Sequence, residues 1–145
     1  MTLAGGDAER GRRVFFEKSE VSCSRCHIAG GHGGEVGPNL SKIGNEKPRD
    51  YLLMALVQPN KDIAKGFETL VVETDEGKVI SGIVKQETAT HLSLMTPEAK
   101  LIEIPKASIV EQARGKSGMP EDLVKKLTRR EVRDLIEYLA GNKGN

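Results

Sequence analysis

The pentapeptide Cys23-Ser24-Arg25-Cys26-His27 constrains this 145-residue chain more than any other feature of its sequence. It holds both cysteines of the chain, three positions apart, and a histidine follows directly. A Cys-x-x-Cys pair is typical of a zinc half-site, a redox dithiol or a disulfide. When a histidine follows the second cysteine, the pattern is also typical of covalent haem attachment through two thioethers.

The alternatives to haem attachment each lack a part that they need. A zinc site requires four donors, and the nearest set adds His27 and His32 to the two cysteines. These four crowd into ten residues, whereas structural zinc sites usually take ligands from two separated pairs. A thioredoxin-like dithiol opens a helix after a strand, and no apolar strand precedes Cys23. The motif therefore favours haem, with Cys23 and Cys26 bonded to the porphyrin vinyl groups and His27 bound to the iron.

Length and composition agree with one domain that carries a buried cofactor. Hydrophobic residues make up 37% of the chain and aromatic residues only 3%, so a buried porphyrin would supply a flat apolar surface that aromatic side chains usually provide. The net charge of +1 argues against nucleic acid as the main partner. No apolar run reaches membrane-spanning length, and no signal peptide is recognisable. Because haem is attached to such proteins outside the cytoplasmic membrane, we expect a periplasmic or otherwise exported protein whose signal has been removed.

Helices are predicted at both ends of the chain. Apolar spacing predicts a helix over 8–18, and a second is predicted from Pro48 to Gln58. Near the end, Thr128 and Glu131 have the spacing of a capping box, and Gly141 can end the helix that follows.

The middle of the chain is rich in β-forming residues. It predicts about five strands in a meander, enough for a small sheet or an open barrel. We therefore expect a single domain over 1–145 with a β-rich insertion over 67–113. The predicted strands cover 68–74, 79–86, 91–95, 101–104 and 108–112.

Taken together, these segments resemble a class I cytochrome c. The resemblance implies a mainly α cytochrome c fold, in which the N- and C-terminal helices cross over a covalently attached haem, and a small antiparallel β subdomain is inserted. In that family a glycine lets the two helices approach closely, and aromatic side chains pack where they cross. The residues that carry the resemblance are Gly11 with Phe15, the haem motif, Gly37-Pro38-Asn39-Leu40, Met119-Pro120, and Leu135 with Tyr138.

The resemblance also implies the iron ligands. Pro38 matches the family's proline whose carbonyl holds the proximal histidine, here His27, and so selects its tautomer. Met119 matches the sixth ligand, which makes His27 and Met119 the metal ligands. Arg49 and Asn45 are candidates to contact the haem propionates. The other side chains that could donate to the iron are Met1, Met54, Met95, His32 and His91. Of these, His32 is expected in a mobile, glycine-rich surface loop and His91 at the surface.

With its β-rich insertion, the chain looks more like the haem-binding modules at the C-terminal end of large bacterial proteins with dehydrogenase-like domains. The expected function is electron transfer by one haem c with histidine and methionine ligands, either as a free cytochrome or as a module of a larger dehydrogenase. Its partners would be redox proteins that donate and accept the electron, and no catalytic residues are expected. The alternatives are a haem enzyme or gas sensor with an exchangeable sixth ligand, and an interaction module that docks through the insertion.

Overall fold

The chain forms two compact units in the computed structural model, which describes residues 3–64, 66–117 and 119–144. The first unit joins Met1–Asp62 to Met119–Asn145, and the second is Ile63–Gly118. All α-helices of the described residues belong to the first unit, and the second is built of strands. The mainly α expectation is therefore right for the first unit only, because the β-forming residues of the middle segment assemble a sheet of their own.

The helices of the first unit include the three predicted from sequence and two of a single turn. Asp7 caps the first helix and Thr128 forms the predicted capping box with Glu131 on the last. No helix in the described ranges is long and apolar enough to cross a membrane. The helices are α1 (Ala8–Glu17), α2 (Cys23–Cys26), α3 (Ile43–Glu46), α4 (Arg49–Val57) and α5 (Arg129–Ala140), and a two-stranded hairpin is formed by β1 (Ile28–Ala29) and β2 (His32–Gly33).

The first and last helices pack against each other through Gly11. A Cβ atom on Gly11 would lie 1.9 Å from the carbonyl oxygen of Asp134 on α5, so only glycine allows this approach. Phe15 is 1% exposed, and its ring centroid lies 5.8 Å from that of Tyr138. The predicted glycine contact and aromatic packing between these helices are both present.

A buried carboxylate ties the start of α1 to α5. Asp134 is 2% exposed and accepts hydrogen bonds from the backbone N–H of Asp7 at 2.7 Å and from Nε of Arg10 at 3.1 Å. Burial alone would raise the pKa of Asp134, but these two donors outweigh it and hold the pKa below its usual value. The carboxylate therefore stays charged at neutral pH, and it fixes the helix pair in one register.

The core of the first unit includes the first cysteine of the motif. Cys23 is buried in one hydrophobic cluster with side chains from α1, α4 and α5 and from the segment before α5. The position of the motif is thus set by the same packing that holds the helices together. The buried members of this cluster are Val14, Phe15, Val21, Cys23, Ala29, Leu52, Leu56, Leu123, Val132, Leu135, Ile136 and Leu139.

The second unit is a five-stranded antiparallel sheet in the order β6-β5-β4-β3-β7. The predicted meander is correct for the first four strands but wrong for the last, because β7 pairs with β3 at the opposite edge and not with β6. The strands are β3 (Thr69–Thr74), β4 (Val79–Glu87), β5 (His91–Met95), β6 (Leu101–Pro105) and β7 (Ile109–Arg114).

The connection between the two edge strands requires this sheet to curl. A flat sheet would place β6 and β7 about 19 Å apart, at roughly 4.8 Å for each pair of neighbouring strands. The 3-10 turn Lys106–Ser108 joins them, and the four residue steps from Pro105 to Ile109 span at most about 14 Å. The sheet therefore closes toward an open barrel around Val72, Leu94 and Ile104, helped by register shifts in the β3–β7 and β4–β5 pairs.

We expect Gly11→Ala to destabilise the first unit by about 2 kcal/mol. The overlap with backbone atoms puts the overpacking cost near the upper end of its usual range, about 3 kcal/mol, and the better helix propensity of alanine offsets about 1 kcal/mol of it. Urea unfolding would measure the change. Gly141→Ala is the matched control, because its Cβ would lie 3.5 Å from the nearest atoms, an ordinary contact. Equal stability of the two variants would contradict the close approach at Gly11.

Candidate functional site

The Cys-x-x-Cys segment forms the single helical turn α2. Ser22, which precedes it, adopts a left-handed conformation with φ of 48°, and its hydroxyl donates to the carbonyl of Ser19 at 2.6 Å. His27 follows the turn in an extended conformation, and its N–H donates to the carbonyl of Cys23 at 3.0 Å. The turn thus presents two cysteines at its ends and the histidine immediately beyond.

Both cysteine side chains are free thiols in the structure. Burial raises the pKa of Cys23 to about 11 and also raises the pKa of Cys26, although Arg25 opposes the second shift. Reactive dithiols instead have lowered pKa values. Among the described residues, no three His, Cys, Asp or Glu side chains form a group that could hold a metal ion. The structure therefore lends no support to the dithiol or zinc alternatives.

The imidazole of His27 is held in one tautomer. Its Nδ1 lies 2.7 Å from the carbonyl oxygen of Pro38, and because a carbonyl can only accept, Nδ1 must carry the proton. Burial lowers the pKa of His27, although the hydrogen bond to Pro38 opposes the shift, so the ring is neutral at pH 7. Nε2 then carries the lone pair that a metal ion would need. The predicted contact between His27 and Pro38 is present.

Gly37 is a site residue to which the sequence analysis assigned no role. A Cβ atom at this position would lie 2.6 Å from Cε1 and 2.9 Å from Nδ1 of His27, so the backbone of Gly37 packs directly against the imidazole ring. Its N–H donates to the carbonyl of Cys26 at 2.6 Å. The sequence signal for this contact is the glycine directly before Pro38, because a glycine allows the backbone to lie close to a ring.

The glycine-rich segment after His27 is a defined hairpin. Gly30 and Gly31 have φ values of 59° and 82°, as a two-residue type I′ turn requires, and they connect β1 to β2. His32 is exposed on β2, paired with Ala29. His32 is therefore at the surface, as expected, but it lies on a short paired strand instead of in an irregular loop, because the two glycines favour a tight turn.

Two further hydrogen bonds tie the chain after this hairpin to the motif. The N–H of Gly34 donates to the carbonyl of Ser24 at 2.9 Å, and the N–H of Leu40 donates to the carbonyl of Ile28 at 2.6 Å. Together with the bond from Gly37, they fix the segment that carries Pro38 on the motif. The imidazole of His27 thus accepts its position from two backbone contacts, the hydrogen bond to the carbonyl of Pro38 and the close approach of Gly37.

Met119 belongs to the same unit as the motif. It is partly buried and packs against the hydrophobic cluster that contains Cys23. This placement is compatible with the role implied for Met119. The structure thus groups Cys23, Cys26, His27 and Pro38 around one turn, and Met119 packs against the hydrophobic cluster that contains Cys23.

The other candidate donors have different surroundings. Met54 is partly buried on α4, whereas Met95 and His91 are on β5 of the second unit. His91 is a surface residue, as expected, with Nδ1 2.9 Å from the hydroxyl of Thr90. Met1 lies outside the described residues.

The two propionate candidates have partners within the protein. Arg49 forms an ion pair with Glu137 at 2.7 Å and donates to the carbonyl of Leu3 at 3.0 Å. Asn45 donates to the carbonyl of Lys143 at 2.6 Å. In this structure both side chains connect distant parts of the first unit, which gives each of them a structural role.

Comparison with known proteins agrees with this geometry. Residues 8–77 match the family model described as Cytochrome c. The matched segment is just under half of the chain and contains α1, the Cys-x-x-Cys-His motif, Pro38 and α4. No match was found among curated proteins.

We expect Gly37→Ala to displace the imidazole of His27, because the new methyl group would overlap the ring. The proton on Nδ1 would then lose its hydrogen bond to Pro38, and the ¹⁵N and ¹H shifts of the ring would change. Asn39→Ala is the neighbouring control, since it removes only the 2.9 Å hydrogen bond from the N–H of Ser41 to the Asn39 side chain. An unchanged Nδ1–H signal in Gly37→Ala would contradict the contact.

Proposed function

We propose that this chain is a cytochrome c that transfers electrons through one covalently attached haem. The observation that carries the proposal is the pairing of two free thiols on one helical turn with a neutral histidine whose Nδ1 is held by Pro38. This combination offers two thiols that can form thioether bonds and one ring nitrogen, Nε2 of His27, that is free to bind a metal ion. The match of residues 8–77 to the Cytochrome c family supports the same conclusion.

The residues present fit a haem c group. Cys23 and Cys26 would hold it covalently, and Nε2 of His27 would bind its iron. When haem c is bound, its iron supplies a ferric/ferrous redox couple that takes up and releases one electron. The hydrogen bond from His27 to the carbonyl of Pro38 keeps the imidazole in the orientation and tautomer that binding requires, and it makes the ring a stronger donor.

We propose that Met119 would bind the haem iron together with His27. It is partly buried on the cluster that includes Cys23, and as a thioether it needs no deprotonation to donate. A methionine ligand would raise the reduction potential of the iron relative to two nitrogen ligands, and it would keep oxygen and peroxide from binding there. These properties suit electron transfer rather than catalysis at the iron.

We further propose that the protein is exported, as c-type cytochromes typically are, and that its partners are redox proteins. The compact second unit, Ile63–Gly118, supports the resemblance to haem modules of bacterial dehydrogenase-like proteins, because it is a separate sheet between α4 and Met119. The chain would then work as a free cytochrome or deliver electrons from a dehydrogenase domain.

Haem attachment is tested by expression in cells that contain the c-type maturation machinery. The wild-type chain is expected to gain the mass of one haem and to keep it after denaturation. Cys23→Ser with Cys26→Ser should lose this mass, because neither vinyl group can then form a thioether. Ser24→Ala is the control within the same turn. A colourless wild-type protein of unmodified mass would exclude the proposed function.

The role of Met119 is tested by carbon monoxide binding to the reduced protein and by potentiometry. Wild-type protein is expected to resist carbon monoxide, whereas Met119→Ala should bind it and show a lower reduction potential. Met54→Ala serves as the control, since it removes a partly buried methionine from α4. Ready binding by the wild-type protein would instead favour a haem enzyme or gas sensor with an exchangeable sixth position.

A further inference from the structure

The residues that follow α5 lie along the chain around α3. We call residues 141–144 the C-terminal tail. The N–H of Gly44 donates to the carbonyl of Asn142 at 2.9 Å, and the N–H of Gly144 donates to the carbonyl of Ser41 at 3.1 Å. These bonds join two parts of the first unit that are far apart in sequence. The end of α5 therefore supports the chain just beyond the proposed haem site.

The side chain of Asn142 adds a bond to the segment that carries Pro38. Its Nδ2 donates to the carbonyl oxygen of Leu40 at 3.2 Å. The same oxygen accepts a local bond from the N–H of Ile43 at 3.3 Å. On the other side, the N–H of Leu40 donates to the carbonyl of Ile28 at 2.6 Å. Leu40 is thus held between the chain next to His27 and the tail of α5.

The side chain of Asn142 is itself held by α5. The backbone N–H of Asn142 donates to the carbonyl of Leu139 at 3.0 Å. The side chain hydrogen-bonds to the hydroxyl of Tyr138, and this interaction opposes the rise in pKa that burial gives Tyr138. The ring of Tyr138 packs against Phe15 on α1. Asn142 therefore connects the packed pair of helices α1 and α5 to the carbonyl of Leu40.

Leu40 lies two residues after Pro38, whose carbonyl oxygen accepts a hydrogen bond from Nδ1 of His27 at 2.7 Å. Because each residue contributes only two soft dihedrals, a shift of Leu40 reaches this carbonyl over a short stretch of backbone. Gly37 holds the other end of the stretch through its bond to the carbonyl of Cys26. The position of the Pro38 carbonyl thus depends on where Gly37 and Leu40 are anchored.

We propose that Asn142 is a positioning residue for His27. It acts through Leu40, because holding the Leu40 carbonyl keeps the Pro38 carbonyl within hydrogen-bonding distance of Nδ1. The consequence for the iron rests on the proposed function. A hydrogen bond at the second ring nitrogen makes a histidine ligand a stronger donor, which favours ferric over ferrous iron. Loss of the Asn142 bond should therefore weaken the bond from His27 to Pro38 and raise the reduction potential.

Asn45 offers a matched comparison, because it joins the same two segments without bonding to Leu40. Its Nδ2 donates to the carbonyl of Lys143 at 2.6 Å. Asn142→Ala and Asn45→Ala thus each remove a side-chain amide that donates to a backbone carbonyl between the tail and the chain around α3. If Asn142 contributed to stability alone, His27 would respond to its loss no more than the rest of the first unit does.

The test measures hydrogen exchange at Nδ1 of His27 by NMR, in the reduced chain purified from cells able to attach haem. The backbone N–H of Leu135, a buried residue of α5, reports opening of the whole unit. Relative to Leu135, exchange at Nδ1 should be about fivefold faster in Asn142→Ala than in wild type, as the loss of one ordinary hydrogen bond implies. Asn45→Ala should match wild type.

Asn142→Asp is the second variant, because it keeps the size of the side chain but its carboxylate cannot donate to the carbonyl of Leu40. It should speed exchange at Nδ1 as much as Asn142→Ala does, and Asn45→Asp should match wild type. If Asn142→Ala did not fold, this pair would decide. Wild-type exchange at Nδ1 of His27 in Asn142→Asp, or an equal acceleration in the Asn45 variants, would overturn the proposal.

Two readouts keep this inference distinct from the proposed function. Exchange at Nδ1 is measurable with or without haem, so a chain purified without haem would exclude the proposed function while the exchange comparison still tests Asn142. In the haem-loaded chain, the midpoint potential should be higher in Asn142→Ala than in wild type. An unchanged or lower potential in a variant whose exchange is faster would overturn the inferred effect on the iron.

Discussion

The hydrogen bond between Nδ1 of His27 and the carbonyl of Pro38 is the contact on which the site depends. It forms because Gly37 has no side chain, so the backbone can lie against the imidazole ring. Backbone bonds from Gly34, Gly37 and Leu40 then hold this segment on the motif. Together they leave Nε2 as the one unprotonated nitrogen of a neutral ring, which is the state that a metal ligand requires.

This site is stable because its supports are parts of the core of the first unit. Gly11 lets α1 and α5 approach closely, Asp134 fixes their register, and Cys23 is buried in the cluster that these helices form. The second unit has a buried core of its own around Val72 and Leu94, which is separate from the cluster that contains Cys23.

Much of this organisation was predictable because it depends on local patterns. The spacing of Cys23, Cys26 and His27, the capping box at Thr128 and the alternation in the strands each reflect neighbours in sequence. The return of β7 to β3 was not predictable in the same way, because pairing between distant strands leaves no local signal. The role of Gly37 also emerged only when its spatial neighbours were known.

The most direct test of the central claim is the absorption spectrum of the oxidised and reduced protein, purified from cells able to attach haem covalently. A low-spin c-type spectrum is expected on reduction, and the oxidised form should show the weak long-wavelength band of a methionine–ferric pair. That result would place histidine and methionine on one iron and support an electron-transfer role. A high-spin spectrum without this band, or a protein without haem absorption, would contradict the account.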